Sequence, residues 1–278
     1  MAPEIILVGH VVKDLVGDGW RPGGGVTYGA AQARKLGFDV AVVTSCAGDI
    51  DPDAIVPGVE WRIVPSEQTT TFENRYEGSL RRQRVLAQAT PLDLTSVPVA
   101  WRSAPIVLIA PVLDEVSELL PRELHTAQTF LGIGAQGWLR RVEDGIVRLN
   151  WAAPTAMWLK GDAVFLSDED VAGADIESWR PRVPLLVQTR GRYGATVWHE
   201  YGWHDIPAFE VDEVDPTGAG DVFMAAFAVR YRETGMSLEA GRFAAAAAAL
   251  SVTKPGIEGI GGRDDIEALR REQAAVEA

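Results

Sequence analysis

The chain has 278 residues, 47% of them hydrophobic and 23% charged. At ~100–200 residues per domain this is one large domain, or one large and one small, of ordinary globular composition, which excludes a disordered, fibrous or disulfide-framed protein. Its 26 basic against 39 acidic side chains leave a net charge of −13, which repels a phosphate backbone and argues against nucleic acid as the partner.

Met1-Ala2-Pro3-Glu4 runs straight into an apolar stretch at 5–8, with no basic segment and no small-residue cleavage pattern, so no signal peptide is expected. The longest apolar stretches, 106–113 and 243–250, fall short of the ~18 residues that span a bilayer. No membrane association and a cytoplasmic location are therefore expected. Apolar runs at 5–8, 40–43, 106–110, 163–166 and 185–187 are continuous rather than alternating, as in strands buried on both faces of a mostly parallel sheet between helices. The expected class is α/β. The single cysteine, Cys46, closes one of these runs and reads as a buried structural thiol, because nothing local would lower its pKa.

Residues 61–89 have a different texture. Short half-alternating stretches separated by Pro65-Ser66 and Gly78-Ser79 predict antiparallel strands outside the main sheet, joined by 11–20. Further on, Gly132-Ile133-Gly134-Ala135-Gln136-Gly137 satisfies the dinucleotide spacing directly after an apolar run. A dinucleotide site also needs a helix next and an acid ~20 residues on, after a second strand, and 138–145 reads as loop. Six alanines at 244–249 predict a close-packed helix.

The segment that carries most chemistry is 211–221, followed by an apolar helix at 222–229. Gly218 and Gly220 let backbone N–H groups approach a ligand unobstructed, at the positive end of that helix, which makes an anion site. Asp221, in the first turn, would lie beside the anion, where a carboxylate can take a proton from an attacking hydroxyl. On these four residues alone a simple capped turn fits as well.

The longer string decides more. Asp215-Pro216-Thr217-Gly218-Ala219-Gly220-Asp221 resembles the carboxy-terminal signature of the ribokinase/phosphofructokinase-B (PfkB) family of carbohydrate kinases, with Pro216 where the common form has Thr or Ser. Gly23-Gly24-Gly25-Val26-Thr27-Tyr28-Gly29-Ala30, ending in Leu36-Gly37, is similar to the family's amino-terminal glycine run, with Tyr28 in place of an asparagine. Gly9-His10-Val11-Val12-Lys13-Asp14 matches a third motif through Asp14; His10 is assigned no role.

The resemblance covers essentially the whole chain and implies a single ribokinase-like domain over 1–278, with a small antiparallel β lid formed by about 11–22 and 60–90. It implies Asp221 as catalytic base, the amides of Gly218, Ala219 and Gly220 as anion hole, and Asp14, Gly24 and Gly25 in the substrate site. ATP with Mg²⁺ is the implied donor, with a monovalent cation as an optional further cofactor. Thr189, Gly191 and Gly194 match the family's nucleotide loop, and Lys254 and Gly256 a stretch bordering the adenine pocket, although a plain turn also fits the first. The family's Asn-x-x-Glu, which organises Mg²⁺, reads Ser167-x-x-Asp170 here; both are oxygen donors, and Asp170 could act through a water.

Within the family, Gln136-Gly137-Trp138-Leu139-Arg140 and Thr70-Thr71-Phe72-Glu73-Asn74-Arg75-Tyr76 resemble strings of the branch that includes myo-inositol kinases, with Gly134 where that branch has aspartate. Asp14, Asn74, Arg75 and Gln136 offer the mixture of donors and acceptors that reads a ring of hydroxyls. Asn74 and Arg75 also fit a solvated strand face, and Gln136 a self-bonded loop amide. The expected function is phosphorylation of a small polyol, myo-inositol first. A nucleoside or other sugar kinase on the same fold and a non-catalytic sugar or nucleotide binder are the alternatives. A homodimer paired through exposed lid strands is compatible with this reading.

Overall fold

The computed structural model describes residues 2–77, 80–150, 158–199 and 202–277. The Gly78-Ser79 turn lies outside them. In chain order the first half comprises β1 (Ile5–Val8), β2 (Val12–Val16), β3 (Gly19–Gly23), α1 (Gly25–Lys35), β4 (Val40–Cys46), α2 (Pro52–Ile55), β5 (Glu60–Pro65), β6 (Thr71–Glu77), β7 (Leu80–Ala87) and β8 (Ile106–Ile109). The second half comprises α3 (Leu120–Leu124), β9 (Phe130–Gly134), β10 (Arg140–Glu143), β11 (Ile146–Leu149), β12 (Ala163–Ser167), β13 (Leu185–Thr189), β14 (Ala195–His199), β15 (Gly202–Ile206), α4 (Ala219–Thr234), α5 (Ser237–Ser251) and α6 (Arg263–Glu277).

The expected α/β architecture is present. A nine-stranded sheet runs β15-β14-β13-β12-β9-β8-β1-β4-β5, parallel from β5 through β13 and closed at the other edge by the antiparallel β14 and β15. Side chains alternate between two cores. Leu7, Val42 and Leu108 face the core shared with α1, α4 and α5; Ile6, Val43 and Ile109 face the one covered by 92–124. Every residue of β1 and β4 is buried, which is why their sequences do not alternate. The alanines of α5 let it lie close against α4; Phe227 packs on Phe165 of β12 and Phe243 lies under Arg230 of α4, and the full burial of each stabilises the fold by roughly 1.5–3 kcal/mol.

A second sheet, β10-β11-β7-β6-β2-β3, stands apart from the first; its pairings are antiparallel except β2 with β6. It is the expected lid sheet, with two differences. Glu60–Pro65, grouped with the lid by its half-alternating pattern, pairs parallel with β4 as the edge strand of the central sheet. The β10–β11 hairpin, whose first strand falls in the 138–145 stretch read as loop, joins the lid: β10 is polar and β11 has only four residues, too short to stand out. Nor does a helix follow Gly132–Gly137: β9 passes through one 3₁₀ turn into that hairpin, so the dinucleotide pattern has no phosphate-binding helix. Cys46 is buried, and burial raises its thiol pKa. Among the described residues no helix is long and apolar enough to cross a membrane.

Candidate active site

Motifs scattered over some 250 residues of sequence come together at the carboxyl ends of the parallel strands, where open α/β sheets place their ligand crevice. Gly9, Ala110, Ala135, Ser167 and Thr189 end or follow β1, β8, β9, β12 and β13 on that edge. The amino terminus of α4 opens against it.

Gly218 is the N-cap of α4 at φ 78°, a left-handed conformation that only glycine adopts cheaply. The Ala219 N–H turns back to the Pro216 carbonyl (3.3 Å), so this amide, expected in the anion hole, is engaged in its own turn. Asp221 follows in the first helical turn. Its carboxyl lies over Gly25, where a Cβ would stand 2.5 Å from Oδ1 and 2.9 Å from the Ala110 Cβ. The glycine at 25 is therefore room made for the Asp221 carboxylate. Burial raises the pKa of Asp221 from its ordinary 3.8 to about 7; Arg140 opposes that rise and Asp170 adds to it. A carboxyl that titrates near neutrality beside a helix amino terminus has the properties of a general base.

On the lid side, Asp14 of β2 accepts a hydrogen bond from Asn74 Nδ2 (3.3 Å), and Gln83 Nε2 donates in turn to Asn74 Oδ1 (3.1 Å). Asp14 lies directly against Gly23, where a Cβ would overlap its carboxylate, and Gly24 caps α1 at φ 91° with His10 O against it. Gln136 opens the 3₁₀ turn after β9 and is half-buried. Arg75 is in β6; its side chain lies outside the described residues. His10 is fully buried and bonded to Thr70 Oγ1 (2.8 Å) and Thr90 O (2.9 Å).

Of the residues expected to face the nucleotide, Gly256 reaches the 215–218 turn, its N–H donating to Asp215 Oδ2 (3.1 Å), while Val214 and Asp215 both donate to the Val252 carbonyl. Thr189 ends β13 beside Ser167, and Gly191 and Gly194 take φ 51° and 86° in the turn that follows. Lys254 is exposed at the mouth of the 252–256 loop.

Asp170 is buried at 4% exposure and lies within the turn that follows β12. It accepts from Ser167 Oγ (2.7 Å) and pairs with Arg140 (3.4 Å). Among the described residues no cluster of three or more His, Cys, Asp or Glu forms a metal cage. Ser167 and Asp170 are oxygen donors, the ligand type a hard cation such as Mg²⁺ takes alongside phosphates and water.

Three residues escaped the sequence reading. Arg140 belongs to a quoted motif, but nothing local tells that it faces Asp221 and Asp170. Glu115, 1% exposed, accepts from the N–H groups of His10, Val112 and Leu113 and so ties the loop after β1 to the loop after β8. Arg21 of β3 pairs with Asp215 (3.6 Å), bridging lid and anion turn.

Residues 166–259, from the end of β12 through the anion turn to the 252–256 loop, match the pfkB family carbohydrate kinase model. A solved pyrophosphate-dependent kinase in the ribokinase family, complexed with a pyrophosphate analog and myo-inositol, superposes over 95% of this chain and 99% of its own, at 27% identity and a TM-score of 0.81. The chain is thus similar to the pfkB carbohydrate kinases over residues 166–259 and to a solved ribokinase-family kinase over nearly its whole length. Among curated relatives, inositol 3-kinase of Oryza sativa subsp. japonica is 27% identical over 81% of the chain, which spans 62% of that protein's length. A Xylella fastidiosa fructokinase with bound ATP shares the fold, at 20% identity over 98% of this chain and 99% of its own and a TM-score of 0.79.

Proposed function

We propose that the chain is an ATP-dependent kinase that phosphorylates one hydroxyl of a small sugar or cyclitol, with myo-inositol as the acceptor. The observation that carries this reading is Asp221: a carboxyl with a pKa of about 7, one turn into a helix whose glycine cap faces the same cleft. In the proposed mechanism the acceptor lies between the lid and the floor of the cleft, its hydroxyls bonded by Asp14, Asn74 and Gln136. Arg75 would join them from β6, and Gly24 and Gly25 leave backbone exposed to the ring. Asp221 takes the proton of the attacking hydroxyl as its oxygen bonds the γ-phosphorus in line and the bond to the β–γ bridging oxygen breaks, releasing ADP, while Gly218, Ala219 and Gly220 present the helix end to the transferring charge. Opening the Ala219 turn would free its N–H for this purpose. Arg140, held by Asp170, places a cation beside the base and the transferring group. Thr189, Gly191, Gly194, Lys254 and Gly256 frame the donor. Mg²⁺, when bound, would neutralise donor phosphates, with Asp170 as its nearest protein carboxylate through water.

A second donor has a specific observation in its favour. The solved neighbour at 27% identity is pyrophosphate-dependent, so pyrophosphate is the alternative to ATP. The test is product formation followed by phosphorus NMR, with ATP or pyrophosphate plus Mg²⁺, against myo-inositol, other cyclitols, ribose, fructose and adenosine, in potassium and in sodium buffers. Selective phosphorylation of a cyclitol supports the reading and names the donor. Turnover of ribose, fructose or adenosine alone would replace the acceptor, and no turnover with any pair would favour a binding protein on this fold. Gel filtration of the same sample tests pairing of two copies through the lid.

A further inference from the structure

We propose that Tyr28 is a positioning residue whose ring holds the Gly218 turn in the shape that receives an anion; the inference rests on the kinase reading only for the identity of that anion. Tyr28 lies on α1, yet it is 3% exposed and projects toward α4 rather than into an apolar layer alone. A Cβ placed on Gly218 would overlap three atoms of its ring. The aromatic plane thus occupies the volume a side chain at 218 would need, and the left-handed turn packs directly on it. A rigid plane packed beneath the turn restricts where its N–H groups point, beyond what the turn's own hydrogen bonds fix.

The phenol is also suited to its surroundings. Burial, with Asp215, Asp14 and Asp221 around it and only Arg21 opposing, raises its pKa well above the ordinary tyrosine range, so it adds no negative charge to an anion site. Its hydroxyl donates to the Pro22 carbonyl of β3 (3.4 Å), next to the Arg21 that pairs with Asp215. Tyr28 therefore touches the anion turn with its ring and the lid with its hydroxyl. The two contacts can be separated by substitution.

The test measures pyrophosphate and inorganic phosphate binding by calorimetry, with steady-state kinetics alongside, on wild type, Tyr28→Phe, Tyr28→Leu, Tyr28→Ala, Gly218→Ala and the Tyr28→Ala/Gly218→Ala double variant. Circular dichroism and melting temperature identify any variant that fails to fold, in which case Tyr28→Leu, which keeps buried bulk without the plane, carries the comparison. Tyr28→Phe should bind pyrophosphate within about threefold of wild type, whereas Tyr28→Leu and Tyr28→Ala should lose about tenfold or more and lower kcat, with acceptor KM changed less. Gly218→Ala should lose at least as much in the wild type but markedly less when added to Tyr28→Ala, the non-additivity expected of residues in contact.

Wild-type affinity in Tyr28→Leu or Tyr28→Ala, equal losses in Tyr28→Phe and Tyr28→Ala, or strict additivity of the two alanines would each overturn the assignment. A wild type that binds pyrophosphate and shows this series but phosphorylates no acceptor would overturn the kinase reading and leave Tyr28 in its role. A wild type that binds neither anion would overturn both.

Discussion

Replacing Asp221 with Asn removes a carboxyl that, in the fold, holds its proton to about pH 7 but in the unfolded chain releases it near 3.8. Between those values the folded state binds more protons than the unfolded one, so wild-type stability falls as pH rises, and the loss is complete above pH 7. A gap of about three in pKa, at about 1.4 kcal/mol each, puts the full effect at no more than ~4 kcal/mol. Asn at 221 does not titrate. The variant should therefore match the wild type in stability at acid pH and exceed it by up to ~4 kcal/mol at pH 8, a gain of several degrees in Tm for a chain of this size. Melting both proteins at matched pH between 4 and 8 measures the difference, and the titrations of the other acidic groups, large for a net charge of −13, cancel between them. Turnover should move the opposite way: wild-type rates rise with pH through about 7 as the base is deprotonated, and the Asn variant should lose about 100-fold or more. A stability difference that stays flat from pH 4 to 8 would refute the burial argument. Near wild-type turnover would refute the base.

Gly25→Ala puts a methyl 2.5 Å from Asp221 Oδ1 and 2.9 Å from the Ala110 Cβ, so kcat should fall about 100-fold, with about 1–3 kcal/mol lost from the urea-unfolding free energy. Gly48→Ala, with nothing within 4 Å, is its control and should change neither. Arg140→Met removes the cation that restrains the Asp221 pKa, so the rising limb of the pH–kcat/KM profile should move to higher pH; an unmoved limb would show that Arg140 acts elsewhere. Glu115→Gln replaces a two-oxygen acceptor by an amide with one, leaving at least one of three buried N–H groups without a partner, which should cost about 2–3 kcal/mol in chemical denaturation.

The sequence by itself determined the fold class and singled out Gly218 and Asp221, the residues on which the proposed site is built. Strands covered on both faces must be apolar at consecutive positions, and β1 and β4 are buried throughout, so the central sheet is legible as uninterrupted runs. Gly218 and Asp221 are legible for a related reason: a glycine turn, a carboxylate and the start of a helix are all local features. Other placements depended on partners that local pattern does not record. Glu60–Pro65 has the mixed exposure of any edge strand, and only its pairing with β4 assigns it to the central sheet rather than the lid. The polar β10 and the four-residue β11 are too short to show as lid strands until β11 is seen paired with β7. Tertiary structure alone also decided the electrostatics. Arg140 and Asp170 arrive beside Asp221 because the strand order lays the ends of β9 and β12 side by side under α4, and the pKa of the base follows from that crowding and from its burial. In the same way Tyr28, a substitution in a glycine run when read along the chain, becomes the surface beneath the anion turn only when α1 packs on α4.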